Sequence, residues 1–133
     1  MKDLNSPVPL NLSKILVGLG YNNICFNYYK IENKSRRSMG QHPKYVLRHN
    51  RRGVHNYDNL KLYMLAPSYQ EAWCWLRNKA FGEKGIEFLV YKGSYRYIGA
   101  YSINGSKPAV LVSDISECNV VLALMDYALK LFM

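Results

Sequence analysis

Apolar positions recur at helical spacing in the middle of the chain, at Tyr69, Ala72, Trp73, Leu76 and Ala80, and predict one amphipathic helix. Ser68 can accept an orphan N–H of its first turn, and Glu71 three residues on completes a capping box. Pro67 keeps Ala66 out of the helix, and Gly82 and Gly85 are expected to end it. Trp75 lies off the stripe, which predicts cover on a second side; both tryptophans read as packing rather than as a ligand platform. A shorter helix follows Pro9, with Leu12, Ile15, Leu16 and Leu19 on one side and Gly20 as its left-handed end. A last helix is predicted after Asp114 as cap, with Glu117 closing the box and Val121, Leu124, Met125, Ala128, Leu131 and Phe132 facing inward.

Between the helices the period falls to two. Residues 24–31 and 60–65 alternate as strands, 44–49 is a short strand, and 86–91, 95–103 and 109–112 make a three-strand run. Asn104-Gly105 turns the last two, because both residues tolerate positive φ. The pattern predicts a single α+β domain over 1–133, an antiparallel sheet with about three helices packed mainly on one face. Residues 1–7 read as an N-terminal tail, and 30–56 as a basic loop or insert. Each half runs helix then strands, but the two halves do not repeat in sequence.

Charge sharpens this picture. Lys30, Lys34, Arg36, Arg37, Lys44, Arg48, Arg51 and Arg52 stand in 30–56 against one acid, Glu32, so that segment carries +7 of the chain's +9. All three histidines, His42, His49 and His55, are there too. A length of 133 residues suits one domain with a real core and no staples. The three cysteines, Cys25, Cys74 and Cys118, are odd in number and far apart, which suits a reducing compartment rather than a disulfide framework. No signal-peptide core opens the chain, and no apolar run approaches the ~18 residues that span a bilayer, so a soluble intracellular protein without a membrane partner is expected.

Three stretches look familiar together. Pro9-Leu10-Asn11-Leu12-Ser13-Lys14-Ile15-Leu16-Val17-Gly18-Leu19-Gly20-Tyr21 fits a Pro-Leu-x-x-Ala/Ser-x-x-Leu-x-x-x-Gly-Tyr/Phe opening. Cys25-Phe26-Asn27-Tyr28-Tyr29 fits a Cys-aromatic-x-Tyr-Tyr strand, and Ala66 to Lys79 fits an Ala-Pro-x-Tyr-x-x-Ala-x-x-Trp-Leu/Phe-Arg-x-Lys helix. With these motifs the chain resembles a group of short uncharacterised proteins encoded by phages and mobile elements of Bacteroidetes. The resemblance covers most of the length. It implies a source, with the host cytoplasm or the virion as the setting, and no chemistry. Lys30 to Asn56 departs from the group in being longer and more basic.

Binding is the function class the residues favour. A basic segment beside Tyr28, Tyr29, Tyr45 and Tyr57 can hold phosphates while rings stack on bases. The contact residues expected for nucleic acid or an acidic protein surface are Lys34, Arg36, Arg37, Lys44, Arg48, Arg51 and Arg52. Tyr95, Tyr97 and Tyr101 form a second candidate, an aromatic platform, weighed against plain cross-strand packing. From the central helix onward the order is that of a double-stranded-RNA-binding domain. The acidic run Ser113-Asp114-Ile115-Ser116-Glu117 stands where such domains carry lysines, which argues against that module.

Enzymatic readings find little. The histidines are seven and six apart, looser than metal-ligand pairs, and no Cys-x-x-Cys accompanies them. Cys74 beside two tryptophans reads as packing rather than as a nucleophile. No Gly-x-Ser-x-Gly or glycine-rich phosphate loop occurs. The expectation is a non-enzymatic accessory protein of phage type, with no catalytic residues, metal or cofactor, that contacts nucleic acid or an acidic protein surface through 30–56. The alternative is a virion or host-interaction protein that acts through protein contacts, with copies of itself or virion neighbours as partners.

Overall fold

The computed structural model describes residues 3–32, 44–54 and 63–133. Over these the fold is α+β, with three helices and two three-stranded antiparallel sheets. The chain divides into two compact units, Pro7–Ser68 and Met1–Ser6 with Tyr69–Met133. The six strands therefore do not share one sheet, as the alternation alone suggested.

In the Pro7–Ser68 unit, α1 (Leu10–Gly18) begins after Pro9 and buries Ser13 and Leu16. Gly20, at φ +107°, takes the left-handed conformation that ends it, and the Tyr21 N–H returns to the Leu16 carbonyl. The sheet order is β2-β1-β3, with β1 (Cys25–Glu32) between β2 (Lys44–Val54) and β3 (Tyr63–Leu65). The expected strand at 44–49 is thus longer, and much of the expected loop 30–56 is ladder. Asn50-Arg51-Arg52-Gly53 reads as a strand end because it is polar. The ladder passes from Asn27↔His49 to Cys25↔Val54, so these residues form an irregularity within β2. Gly53 makes that path available: its φ is +80°, and a Cβ there would run into Ile24.

In the other unit, α2 (Tyr69–Lys84) buries Tyr69, Ala72, Trp73, Leu76 and Ala80, the stripe read from the sequence. The helix runs through Gly82 and stops before Gly85, at φ +67°. Residues 3–6 are not a free tail. The carbonyls of Ser6 and Leu4 accept the N–H groups of Tyr69 and Gln70, two orphan donors of the first turn of α2. Strands β4 (Ile86–Lys92), β5 (Tyr97–Ile103) and β6 (Ala109–Asp114) follow in that spatial order, then α3 (Glu117–Leu131). Asn104 and Gly105 both take positive φ at the β5–β6 turn, as their sequence predicts.

Both long helices pack on one face of this sheet. Trp73 of α2 meets the Phe88 ring at 5.7 Å, and Tyr127 of α3 lies against Phe88 at 6.0 Å and Tyr101 at 5.7 Å. Gly99 lets α3 approach, since a Cβ there would sit 2.9 Å from Val120 and 3.1 Å from Leu124. α3 buries Val120, Val121, Leu124, Met125, Ala128 and Leu129; Leu131 and Phe132 at its end are only half-buried.

Candidate functional site

Residues that oppose one another in an antiparallel pair share a face of the sheet, so register decides which side chains of β1, β2 and β3 act together. Tyr28 stands opposite Arg48 on β2 and Leu65 on β3, and Lys30 opposite Val46 and Tyr63. Lys44 lies two residues beyond Val46 on the same side. One face therefore holds Lys30, Lys44 and Arg48 around Tyr28 and Tyr63. The three cations are exposed and the two rings half-buried. Tyr28 and Tyr63 meet edge to face, with centroids 5.1 Å apart and planes at 88°.

The opposite face carries Tyr29, Tyr45, Leu47 and His49, with Leu47 and His49 exposed and the two rings half-buried. Tyr29 donates its hydroxyl to the Val8 carbonyl at 2.8 Å. Lys14 of α1 lies 4.9 Å from the Tyr45 ring centre, and His49 shares a hydrogen bond with Asn27 at 3.1 Å. Among the tyrosines of this sheet, Tyr28 and Tyr63 thus serve one side, while Tyr29 and Tyr45 serve the other.

Glu32 stands opposite Lys44 in the ladder, so this face sets three cations against one acid. The balance remains positive, which favours an anion laid across it. Cross-strand neighbours lie about 5 Å apart, and alternate residues along a strand about 6.8 Å apart. Lys44 and Arg48 are then about 13 Å apart along β2. The arrangement suits an extended chain of negative groups better than a single point charge.

The expected contact residues divide three ways. Lys44 and Arg48 join this face. Arg51 and Arg52 are exposed in the irregular part of β2, where the Asn50 side chain accepts the Arg52 N–H at 2.9 Å. Lys34, Arg36 and Arg37 lie outside the described residues, as do His42, His55 and Tyr57. Lys30 and Tyr63 were not singled out from the sequence. The alternation of β1 places Lys30 beside Tyr28, but only the β1–β3 register brings Tyr63 to them.

Tyr95, Tyr97 and Tyr101 are not brought together as a platform. Tyr95 is 91% exposed and precedes β5, in the turn closed by the Gly93 N–H on the Arg96 carbonyl. Tyr97 lies under the Lys92 ammonium at 5.9 Å, and Tyr101 is stacked on Tyr127 beneath α3. Alternation tells which residues share a face, and here that face is the one the helices cover.

The α2–β4 unit carries a cavity of about 350 Å³ lined by Cys74, Arg77, Asn78, Phe81, Glu87 and Phe88. The exposed Cys74 sulfur is paired with the Gln70 amide at 3.6 Å, and Arg77 is engaged by the Phe88 carbonyl. That arrangement sets no base against the thiol. Among the described residues, no three His, Cys, Asp or Glu side chains are grouped to hold a metal ion, and no helix is long and apolar enough to cross a membrane.

No known protein family, curated protein or solved structure matches the chain.

Proposed function

We propose that this protein is a non-enzymatic binding protein that contacts nucleic acid through the basic, tyrosine-bearing face of its β2-β1-β3 sheet. The observation that carries this reading is the register that gathers exposed Lys30, Lys44 and Arg48 around the Tyr28–Tyr63 pair. Cations supply the attraction for phosphate and rings supply contact with bases, two properties that a merely solvated charge run does not need to combine. Arg51 and Arg52 extend the positive field along β2. The likeness of three stretches to short proteins of Bacteroidetes phages supports an accessory role in an infected cell.

Binding to labelled DNA and RNA across a salt series tests this. Affinity is expected to fall linearly with salt on logarithmic axes. Replacing Lys30, Lys44 and Arg48 together by Ala is expected to flatten that slope by about two to three, at ~0.7–0.9 for each phosphate no longer neutralised. Polyglutamate serves as the acidic-protein control. Absence of nucleic-acid binding at low salt, or equal binding of polyglutamate, overturns the proposal in favour of a protein partner.

A further inference from the structure

We infer that the strand this face takes is single, with a base laid on Tyr28 or Tyr63, rather than a duplex. The inference rests on the nucleic-acid reading and adds the ligand class. An edge-to-face contact at 88° occupies only one of the four faces of the two rings, whereas a stacked pair would occupy two. Ring surface is therefore left for a third planar group, between cations that stand directly opposite it: Arg48 across from Tyr28, and Lys30 across from Tyr63.

A duplex cannot use that feature. Its bases are stacked on one another and offer a protein only their edges and their phosphates. Here Tyr28 and Lys30 lie together on the middle strand, with Arg48 and Val46 beside them on β2 and Tyr63 on β3, so ring and cation are offered side by side. A single strand turns its bases outward, and every base has a ring face to stack. Lys44 and Arg48 span about 13 Å along β2, which is room for a few nucleotides along one backbone.

The test compares three probes against the full chain at one low salt concentration: a deoxythymidine oligomer of roughly 15 nucleotides, a size that single-strand sites occupy, an abasic strand of the same length, and a duplex of that length. The thymidine strand is expected to bind about 10-fold tighter than the abasic strand, and tighter than the duplex. Tyr28→Leu and Tyr63→Leu are each expected to reduce that preference while leaving the salt slope and abasic binding unchanged. Tyr28→Phe, which keeps the ring, is expected to retain it, and it remains informative if a Leu variant fails to fold. Equal affinity for thymidine and abasic strands, or tighter binding of the duplex, overturns the single-strand inference and leaves the cation-borne contact standing. Failure of all three probes to bind removes both.

Discussion

Arg77 on α2 donates a hydrogen bond to the main-chain carbonyl of Phe88 on β4 at 3.2 Å, and its guanidinium lies 5.4 Å from the centre of the Trp73 ring. β4 is an outer strand of its sheet. The Asn104 N–H bonds to the Gly85 carbonyl, so the inward-facing backbone groups of β4 are those of 87, 89 and 91, and the Phe88 carbonyl faces away from β5. Arg77 thus satisfies an edge acceptor that no strand satisfies. Edge strands with open backbone groups invite unwanted pairing, and a charged side chain laid on one blunts it.

Arg77→Ala is expected to cost about 1 kcal/mol, because the bond is charge-assisted but partly solvated. In urea unfolding the midpoint falls while the slope stays constant. Arg77→Met, which keeps the stem over Trp73, should recover part of the stability if packing contributes and none if only the hydrogen bond matters.

Gly99 lies directly beneath Val120 and Leu124 of α3. A methyl group there would sit 2.7 Å from Val112, 2.9 Å from Val120 and 3.1 Å from Leu124. Gly99→Ala is expected to destabilise by about 1–3 kcal/mol through overpacking. Pairing it with Val120→Ala, which removes one of the clashing methyl groups, should give a combined loss smaller than the sum of the two single losses, as a double-mutant cycle would show.

The start of α3 predicts a dependence on acid. Ser116 is the N-cap, its hydroxyl accepting the Asn119 N–H at 3.4 Å. Asp114 accepts the Ser116 N–H at 2.8 Å and the Asn119 amide at 3.3 Å. Those bonds, the Ser116 backbone bond first, hold the Asp114 carboxyl below its ordinary 3.8. A carboxyl that ionises more readily folded than unfolded contributes stability that is complete above the ordinary value. That contribution is lost as pH falls through the lower folded value. Asp114→Asn is expected to flatten the stability curve in that acid window and leave its shape near neutrality unchanged. Ser116→Ala is expected to cost about 1 kcal/mol at every pH. Thermal melts from pH 3 to 7 (a range set by the carboxyl value, roughly) separate the two.

Much of the fold was legible where side-chain size and spacing carry the information. The α2 stripe from Tyr69 to Ala80 is large, regular and buried as read, and Asn104-Gly105 turned as its chemistry demands. The sequence misled where backbone did the work. Leu4 and Ser6 hold the first turn of α2 through their carbonyls, which no side chain announces. The cap of α3 was placed two residues early, at Asp114, since Asp114 with Glu117 and Ser116 with Asn119 are both capping patterns and only the backbone path chooses between them. For the candidate site, charge located β2 but not its face. Arg51 and Arg52 differ from Arg48 only in falling within an irregularity of the ladder, and Tyr63 joins Tyr28 through a pairing between strands far apart in sequence.

Tyr28 and Tyr29 are neighbours in β1 and point to opposite sides of the sheet, one toward the cations and the other anchored on Val8. β1 is also the strand that both β2 and β3 depend on for their pairing. A ligand that settles on Tyr28 therefore loads the one strand whose opening would release everything else in that sheet. Occupancy becomes readable from within: the amides of β1 should trade protons for solvent deuterium more slowly when the face is filled. The slowing should extend to β3, where no cation of the cluster resides.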